Sequence, residues 1–187
     1  MIQVRFHGRG GQGVVTSAEL LSVAAFLDGR AAQAFPSFGS ERTGAPIQAF
    51  CRIADAPIRA HEPVLQPDAL VIQDPTLLHH VDLFSGLAAD GHVVLNSRHG
   101  AAELGLADLD VAPGHLRTLP ASELALEHLG RALPGAPLLG ALAAVTGVVS
   151  PAALDTAIRQ RFTGAVARGN AAAARAGFER MQEVAHA

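Results

Sequence analysis

Ile2, Val4 and Phe6 alternate with Gln3, Arg5 and His7, the period-two pattern of a strand. A glycine-rich loop follows. Beyond it Val14, Ala18, Leu21 and Ala25 recur at helical spacing, and Leu20, Ala24 and Leu27 widen the same apolar face, as for a helix lying on a sheet. Gly29 ends that helix and Ala31–Phe35 reads as a second strand, so the chain opens on a β–loop–α–β unit. Ile47–Ile53 predicts a strand carrying Cys51. Ala69–Gln73, an unbroken apolar run between Pro67-Asp68 and Asp74-Pro75, predicts one buried on both faces. Val93–Leu95 and Leu116–Leu119 predict two more, and Ala121–Leu129 a helix closed by Gly130. From Pro137 onward the pattern is helical. Pro137–Gly147 is apolar almost all round, Ser150-Pro151 supplies an N-cap serine with proline at the first helical position, and Thr163-Gly164 separates a final alanine-rich helix.

Strands interleaved with helices, then a helical tail, predict an α/β fold: a Rossmann-like, mostly parallel sheet flanked by helices, with a helical C-terminal segment. The 187 residues suit one domain, 1–187. An apolar fraction of 49% against 17% charged residues fits a folded globule rather than a disordered chain. A net charge of −3 gives no reason to expect nucleic acid or an anionic membrane as partner. No secretory signal is visible, since Arg5 and His7 interrupt the first apolar run, and Leu138–Val149 is too short to span a bilayer. The expected location is cytoplasmic.

Absent residue types narrow the chemistry. All fourteen basic residues are arginine, which excludes a lysine-bearing phosphate loop and Schiff-base catalysis. With Cys51 as its single cysteine, the chain cannot ligate an iron–sulfur cluster alone. Tyrosine and tryptophan are missing. The nine histidines form no spaced metal-binding pair, and the adjacent His79 and His80 read as surface residues. Cys51, between Phe50 and Ile53, reads as a buried small hydrophobe. No catalytic residue and no metal ligand is nominated.

Two loops are candidates for binding. Gly8, Gly10 and Gly13 have the G-x-G-x-x-G spacing of a dinucleotide fingerprint, with a strand before and a helix after. The carboxylate that holds the ribose in such sites is expected at the end of the second strand, where this chain has Gln33 and no acid, so NAD binding is disfavoured. The second loop, "PSFGSERTGAPI", places Glu41 beside Arg42 among glycine and proline. Arg42 there faces either an anionic ligand or partner, or only solvent.

The blocks "GRGGQGVVTSAELL", "QAFPSFGSERTGAPIQAFCRI", "PDALVIQDPTLL" and "PLLGALAAVTGVVS" resemble the gamma subunit of 2-oxoacid:acceptor oxidoreductases, the pyruvate:ferredoxin and 2-ketoisovalerate:ferredoxin group. They keep the family's order from Gln3 to Ser150, with a departure at Ser40 and Thr43. The resemblance implies a complex that converts a 2-oxoacid and coenzyme A (CoA) to acyl-CoA, carbon dioxide and reduced ferredoxin or another acceptor. It implies thiamine diphosphate, magnesium and iron–sulfur clusters on alpha, beta and delta type partner chains, and no cofactor of this chain's own. It implies an inactive isolated chain whose Gly10, Gly11, Gln12, Gly13 and Arg42 meet CoA phosphates or a subunit interface. The alternatives are a free-standing CoA- or nucleotide-binding module and an NAD(P)-dependent oxidoreductase using the Gly8–Gly13 loop.

Overall fold

A computed structural model describes residues 1–37, 44–60 and 62–185. Among these residues six strands form one sheet: β1 (Ile2–Arg9), β2 (Ala31–Pro36), β3 (Pro46–Ala54), β4 (Ala69–Ile72), β5 (His92–Asn96) and β6 (Leu116–Leu119). Their spatial order is β2-β3-β1-β4-β5-β6. β3 is antiparallel to both of its neighbours, and the remaining pairs are parallel, so five strands run one way and β3 alone runs against them. Among the described residues five α-helices accompany them: α1 (Val14–Leu27), α2 (Ala121–Leu129), α3 (Gly135–Thr146), α4 (Pro151–Arg161) and α5 (Gly164–Ala185). The expected strands and helices are all present, with ends moved by one or two residues. The α/β architecture is the expected one, and Ser150 caps α4 by accepting from the Ala153 N–H.

The opening unit differs in one respect. β2 runs parallel to β1 but does not touch it, because β3 returns between them. The layers are also unequal. Alternate residues of the central strands (Val4 and Phe6, Cys51 and Ile53, Val71, Val94) join α1, α3, α4 and α5 in one large core. The residues between them meet a smaller cluster, Leu70, Ile72, Leu77, Leu83, Val93 and Leu95, covered by a 3-10 turn (Pro75–His79) and irregular chain.

A period of two ordinarily marks a half-buried strand, yet Arg5 and His7 are as buried as Val4 and Phe6. The irregular cover explains this. Lacking a helix's internal hydrogen bonds, it presents carbonyls to the sheet, and buried carbonyls need donors. The Arg5 guanidinium supplies them, donating to the Leu83 and Ser85 carbonyls at 2.9 and 2.7 Å and, through Nε, to His7 Nε2 at 3.0 Å. Arg52 does the same for the carbonyls of Ala60 and Glu62 and lies 5.1 Å from the Phe35 ring centroid. Apolar–polar alternation here encodes two kinds of cover, not core and water.

α3 is buried from Ala136 to Ala143 within this chain, between the sheet and α5, which accounts for its all-round apolar surface. Cys51 is fully buried, and burial pushes its thiol up to about 12. Iodoacetamide at pH 8 is expected to leave the native chain unmodified and to alkylate Cys51 completely in denaturant. Mass spectrometry reads the outcome, and native-state labelling would contradict the packing. His79 and His80 are exposed, as expected.

Candidate functional site

The C-terminal ends of β1, β4 and β5 face the same way, and at β1 the strand order reverses: α1 leads toward β2 and β3, while β4, β5 and β6 extend the other way. Such a switch point leaves a crevice beyond the strand ends, because successive connections depart in opposite directions. Here the crevice encloses about 360 Å³ and is lined by Gln12 of the glycine loop, Gln73 and Asp74 after β4, Asn96 and Ser97 at the end of β5, and Ser122 of α2.

The glycine loop is held by its own side chains. Gln12 Oε1 accepts the Arg9 backbone N–H at 2.7 Å, and its Nε2 donates to Asp74 Oδ2 at 2.9 Å. Asp74 also pairs with the Arg9 guanidinium at 3.2 Å and accepts from the Thr76 N–H and hydroxyl at 2.9 and 2.6 Å. Burial alone would raise the Asp74 pKa, but the bonds from Thr76 and Gln12 and the charge of Arg9 outweigh it, and the carboxyl titrates below its usual range. Gly11 and Gly13 lie at φ +96° and +76°, where a side chain is strained, although a Cβ there would meet no atom within 4 Å. Gly8 is the crowded one: its Cβ would lie 2.6 Å from Val14 Cγ2 and 3.2 Å from Gln73 Cβ. Two backbone bonds, from Gly10 N to the Ala45 oxygen (2.9 Å) and from Gly44 N to the Gly10 oxygen (3.1 Å), tie the start of β3 to the loop.

The floor is the Gln73 amide. Ser17 Oγ gives its proton to the Gly13 carbonyl at 3.0 Å, so it must accept from Gln73 Nε2 at 2.8 Å, which fixes which end of the amide is which. Gln73 Oε1 is left buried with no partner among the described residues. On the next strand Asn96 donates to the Gln73 carbonyl and to Ser122 Oγ, both at 2.9 Å, and accepts the Ser122 N–H, capping α2.

Of the residues expected to bind, Gly10, Gly11, Gln12 and Gly13 come together in this loop, and Arg42 lies outside the described residues. Sequence reasoning missed Gln73, Asp74, Thr76 and Asn96. The available signal was Asp74-Pro75-Thr76 after an apolar run, a strand end followed by a capping residue, read only as a boundary. Gln33 would stand at the ribose position only if β2 adjoined β1. With β3 between them, no residue of β2 occupies the ribose position, and the acid beside the loop is Asp74, which Arg9, Gln12 and Thr76 already engage.

The donor set also decides which groups fit. One buried thiol does not fit an iron–sulfur cluster, and the described residues offer no group of three His, Cys, Asp or Glu that could hold a metal ion. None of their helices is long and apolar enough to cross a membrane. Fold and crevice define an α/β domain with an internally braced glycine loop at its strand ends.

Residues 3–180 match the family model described as pyruvate ferredoxin/flavodoxin oxidoreductase. The chain is 46% identical over 182 residues to the pyruvate/ketoisovalerate oxidoreductases common subunit gamma of Pyrococcus abyssi, covering 97% of this chain and 98% of that one. It is 48% identical over 182 residues to pyruvate synthase subunit PorC of Methanothermobacter marburgensis, with the same coverage. Among solved structures, pyruvate oxidoreductase subunit PORC of Thermotoga maritima superposes with a TM-score of 0.83 at 34% identity over 95% of both chains. The chain belongs to the pyruvate ferredoxin/flavodoxin oxidoreductase family, as a gamma-type subunit of such an oxidoreductase complex. It therefore works with other subunits.

Proposed function

We propose that this chain is the non-catalytic gamma subunit of a thiamine diphosphate-dependent complex that turns a 2-oxoacid and CoA into acyl-CoA, carbon dioxide and reduced ferredoxin or another acceptor. In this reading alpha, beta and delta type chains carry the thiamine diphosphate, magnesium and iron–sulfur clusters. Gly10, Gly11, Gln12 and Gly13 of the glycine loop, and Arg42, receive a CoA phosphate or an anionic group of a partner subunit.

The observation that carries the reading is the loop's internal bracing. Gln12 spends both ends of its amide on Arg9 and Asp74, so the turn is fixed before anything binds. The N-terminus of α1 has no side-chain cap, and its first-turn N–H groups are the kind that hold anions. Gly10, Gly11, Gln12 and Gly13 carry no acid, base or nucleophile, so what the loop offers a ligand is its backbone N–H groups. The name of the Pyrococcus relative supports the division of labour, because a subunit common to pyruvate and ketoisovalerate enzymes is not the part that chooses between their substrates.

The test is reconstitution with the partner chains, following CoA-dependent reduction of ferredoxin or a dye by a 2-oxoacid. The isolated chain is expected to show no turnover. Gln12→Ala removes one bond to Arg9 and one to Asp74, at about 0.5–1.5 kcal/mol each, and is expected to raise the KM for CoA several-fold or loosen assembly. Arg42→Ala is expected to move the same quantities. Turnover by the isolated chain, or unchanged CoA kinetics and assembly in both variants, would overturn the reading.

A further inference from the structure

The charge of the chain is unevenly distributed. Residues 1–150 carry nine arginines against fourteen carboxylates, whereas residues 151–187, the α4–α5 layer, carry five arginines against three. In that layer a groove of about 400 Å³ runs between α5, the end of α2 and α4, walled by His128, Arg159, Arg168, Arg175 and Glu179. Its floor is alanine. A Cβ at Gly169 would lie 2.7 Å from the His128 carbonyl oxygen and 3.2 Å from Leu129 Cα, so α2 ends directly against α5.

The arginines are not equivalent. Arg159 is held by Asp155 on its own helix at 2.6 Å, and Arg180, further along α5, lies 3.6 Å from Glu183. Arg168 and Arg175 are exposed and have no ion pair among the described residues. Seven residues apart on α5, their roots stand on the same face roughly 10 Å from each other along the axis. That is two helical turns, or about three residues of extended chain. One small anion is far shorter than this span.

From this we infer that the α2–α4–α5 groove docks an acidic segment of a partner subunit, with two carboxylates about 10 Å apart meeting Arg168 and Arg175. Arginine suits the role, since its planar fork takes a carboxylate on two bonds at modest desolvation cost. A second copy of this chain is a poor occupant. Fourteen of its seventeen carboxylates lie outside the α4–α5 layer, and pairing those with this groove is a head-to-tail contact that repeats without closing. The inference rests on the subunit reading but concerns a surface distant in sequence from the glycine loop.

The experiment uses the complex co-expressed with its partner chains and measures co-elution of this chain at increasing salt. Wild type is expected to detach progressively as salt rises. Arg168→Glu with Arg175→Glu is expected to lower retention at least tenfold at physiological salt, and Arg168→Lys with Arg175→Lys to retain most of it. Ala172→Cys, carrying a cysteine-anchored photocrosslinker, is expected to join a partner peptide with two or more Asp or Glu residues; Cys51, being buried, does not compete. Unchanged retention of the charge-reversed chain, crosslinks confined to neutral or basic peptides, or protection of the position-172 cysteine by pyrophosphate alone would overturn the docking assignment. Failure of wild type to co-elute would overturn the subunit reading and this inference together.

Discussion

Between pH 6.5 and pH 4.5 the chain is expected to lose roughly 2 kcal/mol of folding stability through His7 alone. His7 is 1% exposed on the central strand β1, and its ring nitrogen Nε2 accepts from the Arg5 guanidinium at 3.0 Å. Burial, and secondarily the charge of Arg5, lower its pKa from 6.5 to about 3. An unfolded chain takes up the proton as the pH falls through 6.5, while the folded chain does not until about 3. Stability attributable to His7 is therefore full above 6.5 and is lost on acidification at about 1.4 kcal/mol per pH unit. Asp74, with its lowered pKa, adds a loss of the same sign below its ordinary carboxylate range.

Urea unfolding at pH 7.0, 5.5 and 4.5 measures the effect, with His7→Gln as comparison. Glutamine can still accept from Arg5 but does not titrate, so contributions from the other histidines cancel between the two chains. Between pH 7.0 and 4.5 the wild-type stability is expected to fall further than that of the variant by about 2.5 kcal/mol. Equal slopes would mean that His7 is protonated in the folded protein or exposed to water. The His7 ring resonances offer an independent reading, with no titration between pH 7 and 5 in the native state.

Much of the fold is written in periodicity. The apolar run Ala69–Gln73 announces a strand covered on both faces, and Ser150-Pro151 announces the start of α4, because burial and capping are satisfied locally. Pairing is not local. Nothing in Ala31–Phe35 tells that β3 separates it from β1, since strand order is decided by which edges meet after the chain returns. Gln33 therefore occupies a position that this topology never brings to the glycine loop. Arg5 and His7 show the same limit on a smaller scale. Their alternation with Val4 and Phe6 is plain, but what covers them is set by residues 64–85, remote in sequence.

The site divides along the same line. The glycine loop is contiguous, so its members could be named from spacing. The residues that brace and floor it come from the ends of β4 and β5, and each is an ordinary polar residue in its own neighbourhood. Gln73 becomes notable only when Ser17 fixes its amide and leaves Oε1 buried without a partner among the described residues. Asp74 becomes notable only when Gln12 and Arg9 reach it.

Replacing either helix glycine at the α3–α5 crossing is expected to cost about 2–4 kcal/mol, against the general gain of nearly 1 kcal/mol for alanine over glycine inside a helix. A Cβ at Gly140 of α3 would overlap the Ala174 carbonyl oxygen and lie 3.0 Å from Phe178 N. A Cβ at Gly177 of α5 would overlap the Pro137 carbonyl oxygen and lie 3.0 Å from Pro137 Cα. The obstructing atoms are backbone on both sides, so no side-chain rotation relieves them and the two helices must separate. Separation opens a gap along a buried seam and shifts α3 as a body. The start of α3 at Gly135 packs on Ser17 Oγ and within 3.5 Å of Gln73 Nε2 for an added Cβ, so the shift reaches the floor of the crevice. Gly140→Ala and Gly177→Ala are each expected to lower Tm by roughly 6–12 °C. Ala172→Gly, which places a glycine on the partly exposed side of α5, is expected to cost only about 1 kcal/mol. A melt of Gly140→Ala or Gly177→Ala at or above the wild-type temperature would show that α3 and α5 are not in backbone contact, and that the crevice floor is not supported from this side.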